Sequence, residues 1–229
     1  MDKCENVCFQ IYCPPIGGGV KMDPMAQVRP YRGIEAADRA AERRRRFLEA
    51  GLDILGSDPD LSELTVRGIC RQAGVALRYF YESFTDKDDL VAAVYDWVIA
   101  DIAATTQAAV TAAPMNERSR AGMANIVRTI SADTRVGRLL FSSQLSNPVV
   151  ARKRTESFAL MAMLTFQHAS AAGAQNIDRV KAASHFVVGG VTQMITAWLA
   201  GDVTLDGDQL VDQLAAMIDA LAMPDLYRP

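Results

Sequence analysis

Histidine is scarce in this 229-residue chain, which has two, His168 and His185. Neither stands in an H-E-x-x-H pair or beside clustered metal ligands, and no nucleophile elbow of the G-x-S-x-G type occurs. Hydrolytic and metal-assisted catalysis therefore have no motif to rest on, and no catalytic residue, metal ligand or cofactor is assigned. Charge of one sign is also lacking. A formal net charge of -3 excludes a general electrostatic affinity for nucleic acid, so any contact with DNA must come from a local patch. Long apolar runs are missing as well. The most apolar later stretches are broken by Asp96, Asp101, Gln193 and Asp202, which argues against a membrane span or secretory leader and for a cytoplasmic protein with no membrane partner.

Cysteine is sparse too, with four in the chain. Cys4, Cys8 and Cys13 follow a C-x3-C-x4-C spacing that matches no paired C-x2-C zinc knuckle, and a reducing cytoplasm disfavours disulfides. A redox or metal-sensing role for these three stays open, whereas Cys70 reads as a small buried apolar residue. They lie in residues 1–37, which read as an extension that is disordered or loosely structured. Pro14, Pro15, Gly17, Gly18, Gly19, Pro24 and Pro30 interrupt it, and no apolar periodicity is sustained. The glycine run lacks the G-x-x-x-x-G-K-[ST] spacing of a phosphate loop. Met1, Met22 and Met25 are alternative starts for translation.

Against these absences stands TVRGICRQAGVALRYFYESF, residues 65–84, followed by Lys87. Val66, Ile69, Cys70 and Ala73 recur at helical spacing, and Thr65 stands ahead of them as a cap. Gly74 can adopt the left-handed conformation that ends such a helix. In the next short helix Val75, Phe80 and Phe84 point inward, leaving Leu77, Arg78, Tyr79, Tyr81 and Glu82 outward. Thr85 is placed to cap a third helix, with Lys87 on its first turn and Asp88 near its positive end. A lysine beside unsatisfied N–H groups suits a phosphate. The whole reads as a helix-turn-helix, residues 38–85, built to lie against DNA. Arg29, Arg32, Arg39 and the run Arg43–Arg46 supply a basic patch ahead of it. Phe47, Leu48, Leu52, Ile54 and Leu55 then form a helix behind the motif.

Residues 43–95 resemble the DNA-binding domain of TetR/AcrR-type transcriptional regulators. Thr65, Arg67, Ile69, Ala73, Gly74 and Val75 fall on the pattern T-x-R-x-I-A-x-x-A-G-V, Tyr81 and Phe84 on Y-x-x-F, and Lys87 on the lysine that opens the next helix. The resemblance implies that Thr65, Tyr81 and Lys87 hold phosphates while Ala76, Leu77, Arg78 and Tyr79 face base edges in the major groove. Arg67 lies within the matched motif. Arg43 and Arg44 resemble the basic arm of many members, which reaches phosphates or the minor groove. The chain departs from the pattern at Ala76, Leu77, Arg78 and Glu82, which leaves the operator sequence open. Arg78 is expected to read a base, since an arginine can donate two hydrogen bonds to guanine. A phosphate clamp is its alternative role.

From residue 86 to 229 the periodicity predicts six helices, near 86–111, 116–131, 134–145, 148–172, 176–200 and 206–222, punctuated by Pro114, Pro148, Gly173, Gly201 and Gly207. The expected fold is all-α, a three-helix DNA-binding domain followed by a larger six-helix domain. By resemblance that second domain binds a small organic effector and forms a homodimer. Phe141, Gln144, Met161, Thr165, Phe166, His168 and Trp198 are candidate effector contacts, with ordinary core packing as their alternative. Ala182, Phe186, Gly189, Gln193 and Ala197 on one helix, and Leu210, Leu214, Met217 and Leu221 on the next, are expected at the dimer interface. The implied function is a regulator of a double-stranded, palindromic operator, as a repressor released by its effector. An enzyme in the helical domain and an effector-independent DNA-binding protein are the alternatives. Effector, operator, regulated genes and repression versus activation are not encoded in these patterns.

Overall fold

A computed structural model describes residues 31–57, 61–171 and 177–221, with side chains over 36–57, 61–163 and 177–221. Cys4, Cys8, Cys13, Met22 and Met25 lie outside the described residues. The described secondary structure is helical throughout. Its elements are α1 (Tyr31–Ser57), α2 (Val66–Ala73), α3 (Leu77–Ser83), α4 (Lys87–Ala112), α5 (Arg118–Ala132), α6 (Thr134–Phe141), α7 (Pro148–Ala171), α8 (Ile177–Ala200) and α9 (Gly207–Leu221), with a short 3-10 turn at Met115–Glu117. Arg39–Pro229 is one compact unit and Met1–Asp38 another; of the latter, residues 31–38 are described and begin α1. The helix thus starts inside the stretch expected to be an extension. Apolar periodicity misses this stretch because its helix signal is propensity, carried by Ala36 and Ala37.

One core runs through the compact unit. It begins with Phe47, Leu52 and Leu55 of α1, Ile69 of α2 and Phe80 of α3, and continues through Leu90, Val91 and Val94 of α4 into Ile130, Leu139, Val150, Ile195 and Leu210. Helix α4 packs on α5, α6 and α7; α5 also carries α9, and α8 packs on α6, α7 and α9. Helix boundaries follow capping chemistry. Asn147 accepts the backbone N–H groups of Val149 and Val150 at the start of α7, and Asp206 and Gln209 satisfy each other's backbone N–H groups at the start of α9.

Helix α6 stops at Phe141, short of the expected 145. Its last carbonyls turn to Arg154 of α7, which donates to Arg138, Leu139 and Ser142 oxygens at 2.6 to 3.1 Å. A guanidinium at the negative end of a helix both satisfies and neutralises it. At its other end α6 meets α1. Arg135 pairs with Asp53 of α1 and with the α6 cap Asp133, and Arg138 Nη1 donates to the Ser57 carbonyl at 2.9 Å. Asp133 first, and Asp53 with it, raise the pKa of the Arg135 guanidinium above its ordinary value.

The apolar stripe of α9 turns inward. Leu210 and Leu214 are 0% and 2% exposed, buried in the chain's own core as α9 packs on α5 and α8, so they are not available to a second chain. This corrects their expected place at a dimer interface; an apolar stripe reads the same whichever partner covers it. On α8, Val180 and Ile195 are buried, while Ala182, Phe186, Gly189 and Gln193 are exposed along the opposite stripe.

Gly56 sits where α1 touches α6. A Cβ there would lie 2.6 Å from the Arg135 Cα and 2.8 Å from its carbonyl oxygen, both fixed backbone atoms. Gly56→Ala is therefore expected to lower the unfolding free energy by about 1 to 3 kcal/mol, the usual cost of forcing a methyl group into a filled space. Urea denaturation measures it, and an unchanged midpoint would mean that α1 and α6 separate freely.

Candidate nucleic-acid interface

The site is built around the turn between α2 and α3. Thr65, extended at φ -123° and ψ 154°, accepts the Gly68 N–H on its hydroxyl at 3.0 Å. That hydroxyl keeps its own proton to donate outward. Gly74 is left-handed at φ 60°, so the Gly74 and Val75 N–H groups reach back to the carbonyls of Arg71 and Cys70 at 3.2 and 3.1 Å. This double closure ends α2 and turns the chain into α3 within three residues.

Helix α3 is short and gains its order from packing. Phe80 is 0% exposed and Phe84 3%, and Phe47 of α1 meets both rings edge-on at 5.5 and 6.1 Å between centroids. Edge-to-face pairs of this kind each contribute about 0.5 to 1.5 kcal/mol beyond the area they bury. With its inward face fixed, α3 presents the opposite face to solvent. Leu77 is 44% and Tyr81 60% exposed, Ala76, Arg78 and Glu82 are exposed, and Tyr79 is half-buried.

One expectation about the next helix is revised. Asp86, not Thr85, caps α4, its carboxylate accepting the N–H groups of Asp88 and Asp89 at 2.9 and 2.8 Å. Thr85 instead gives its own N–H to the Asp89 carboxylate at 2.9 Å. The sequence signal was available, since an aspartate at position 86 is as good a cap as the threonine before it. Lys87 does open α4, exposed, with Nζ 2.7 Å from Asp88. Arg67 is exposed on the first turn of α2.

The arginine run does something the sequence did not suggest. Arg44 donates to the Ser83 carbonyl at 2.8 Å and lies 4.4 Å over the Phe84 ring; Arg46 reaches toward the Gly74 carbonyl at 3.4 Å. Arg43 lies 4.2 Å over the Tyr79 ring and 3.6 Å from Glu82. Arg45 points elsewhere, holding Glu42 at 3.1 Å and keeping that carboxyl below the usual range. Three of the run thus fasten α1 to α3 and to the turn before it.

The expected effector contacts do not converge on a described cavity. A cleft of about 390 Å³ opens between α1, α4, α5 and α6, walled by Leu52, Trp97, Ile102, Arg128 and Asp133, and another of about 550 Å³ lies beside α2, near Ile54, Glu63 and Arg71. Neither is lined by Phe141, Gln144, Met161 or Trp198. Phe141 and Trp198 pack half-buried on the core, the Trp198 indole donating to the Leu205 carbonyl at 2.8 Å, and Gln144 is exposed. The Thr165, Phe166 and His168 side chains lie outside the described residues.

No family model matches the sequence, and no curated protein matches it significantly. Solved structures do. FadR, a fatty acid degradation regulator from Bacillus halodurans, matches at a TM-score of 0.60 and 16% identity over 79% of this chain and 94% of that one. A regulator assigned to the TetR family, from Rhodococcus sp., gives 0.61 and 15% over 80% and 100%. The chain has the fold of TetR-family regulators. FadR from Bacillus subtilis, solved in complex with stearoyl-CoA, has the same likeness, with a TM-score of 0.57 and 16% identity over 76% of this chain and 96% of that one. Within this TetR-type fold Thr65, Gly74, Tyr81 and Lys87 occupy a helix cap, a helix end, an exposed face and a helix start respectively.

Arg44 is placed to hold α3 rather than to wait in solvent. Arg44→Ala is expected to cost about 0.5 to 1 kcal/mol of stability, the scale of an exposed cation over an aromatic ring. Thermal or urea unfolding reads this; a wild-type midpoint would return Arg44 to the list of free basic groups.

Proposed function

We propose that the chain is a sequence-specific DNA-binding regulator of transcription, a homodimeric repressor that leaves a palindromic operator when a small organic effector binds. What carries the reading is α3, a two-turn helix with Phe80 locked inward and Arg78 and Tyr81 on its outward face. Residues 38–85 act as the DNA-binding domain and 86–229 as the effector-binding and dimerisation domain. Arg78 reads a base, with Ala76, Leu77 and Tyr79 beside it in the major groove. Thr65, Arg67, Tyr81 and Lys87 grip phosphates; the hydroxyls and cations suit anionic oxygens, and those of Thr65 and Lys87 stand at helix starts. Arg43 and Arg44 serve the frame, as their contacts with Tyr79, Glu82, Ser83 and Phe84 support.

The three solved structures of like fold named above are regulators, and one of them was solved with stearoyl-CoA. These support an effector for the helical domain here. Such an effector works only by preferring the arrangement that cannot bind DNA. Dimerisation is supported by the exposed stripe of α8, where Phe186 is 67% exposed beside Ala182, Gly189 and Gln193, with the half-buried Ala197 continuing it and Met217 exposed and Leu221 half-buried on α9. Small residues around one large ring let a second helix approach closely. Two copies then set their α3 helices about 34 to 36 Å apart, one turn of DNA.

Light scattering at micromolar concentration is expected to give a dimer, and Phe186→Glu a folded monomer; a monomeric wild type contradicts this arrangement. Arg78→Ala should lose about 1 to 3 kcal/mol of discrimination at one base pair. Lys87→Ala should weaken binding to every sequence and flatten the log-log salt slope by about 0.9. Titrations of site variants at several salt concentrations separate the two, and a uniform loss from Arg78→Ala would make it a phosphate clamp.

A further inference from the structure

Where α1 meets the side of α3 four side chains are joined in series, with Tyr79 among them half-buried against the core. Glu82 lies 3.6 Å from the Arg43 guanidinium, which lies 4.2 Å from the Tyr79 ring centre. Arg78 in turn lies 4.6 Å from the same centre and donates Nη2 to the Tyr79 phenol oxygen at 2.8 Å. Arg43 belongs to α1 and the other three to α3. Because α1 and α3 are locked by the Phe47, Phe80 and Phe84 rings, the Arg43 end of the series is anchored to the core.

We propose that Tyr79 is a positioning residue for specificity: it holds the Arg78 guanidinium in one orientation before DNA arrives, and Arg43, itself held by Glu82, fixes the Tyr79 ring from the α1 side. The partner this arrangement selects is a guanine in the major groove, and the proposal rests on the reading of Arg78 as the base contact. A free arginine is long and rotamer-rich, so ordering it on binding opposes recognition, and a planar fork already in place loses less. The geometry leaves the fork usable. One N–H of Nη2 is spent on the phenol oxygen, and the other guanidinium N–H groups have no partner among the described residues, enough for a bidentate contact with guanine O6 and N7. The phenol keeps its own proton for a neighbouring acceptor. Glu82, which alone would repel the phosphates, has its charge offset by Arg43.

The test uses the full chain and a randomised duplex library, from which the bound site is selected, followed by titration of every single-base variant of that site. Tyr79→Phe keeps the ring under both guanidiniums and removes only the phenol oxygen. It should reduce discrimination at one guanine position about three- to tenfold, the scale of one hydrogen bond, with no change in the salt slope. In an Arg78→Ala background the same substitution should have no further effect at that position. Arg43→Ala should reproduce part of the loss at the same base pair. Unfolding midpoints of the variants check that α3 remains folded. Wild-type discrimination in Tyr79→Phe overturns the positioning role while leaving Arg78 as reader, provided that Arg78→Ala loses the guanine preference. If Arg78→Ala keeps that preference, or the selected site holds no guanine there, the base-reading role itself fails. A uniform, salt-dependent loss in Tyr79→Phe would make Tyr79 a phosphate contact.

Discussion

The contact between Phe47 and two phenylalanines, Phe80 within α3 and Phe84 at its C-terminal cap, is the constraint on which the rest depends. Helix α3 spans Leu77–Ser83, too short to be stable on its own propensity. Phe80 and Phe84 bury the same face of it against α1, and each fully buried ring contributes about 1.5 to 3 kcal/mol relative to exposure. Once they are seated, the rotation of α3 is fixed. Leu77, Arg78, Tyr81 and Glu82 then have nowhere to point but outward, and the chemistry of the outer face follows from the packing of the inner one.

The arginines of α1 extend that constraint to the surface. Arg44 and Arg46 bind carbonyls at the end of α3 and at the turn before it, and Arg43 stacks on Tyr79. Charge that would otherwise spread over a mobile arm is drawn into a frame around α2 and α3. At its other end α1 meets α6 through Gly56, Asp53 and Ser57, with Arg135 and Arg138 opposite. The same helix therefore carries both the packing of α2 and α3 and a tight junction with α6.

Much of this was legible because capping and turn chemistry are local. Thr65, Gly74 and the inward set Val75, Phe80 and Phe84 stand as their spacing predicts, and the later helices fall close to the expected bounds. What escaped depends on choices between equivalent partners. Thr85 and Asp86 are both good caps, and the Asp89 carboxylate decides by taking the Thr85 N–H. Leu210 and Leu214 form a stripe that fits a second chain as well as it fits α5, and α5 is nearer. A run of arginines looks the same whether it reaches for phosphate or for the carbonyls of a neighbouring helix. The α1 to α6 junction had no signal, because Gly56 and Arg135 are distant in sequence and ordinary in type.

The central claim is that the α3 face reads DNA in two copies related by symmetry. Selection from a randomised duplex library by the full chain, followed by sequencing of the bound fraction, tests it directly. The account predicts an enriched inverted repeat with half-sites about one helical turn apart, roughly 10 to 10.5 base pairs, or a multiple of that spacing. A bound fraction with no enriched sequence, or a lone half-site without its inverted mate, would contradict it.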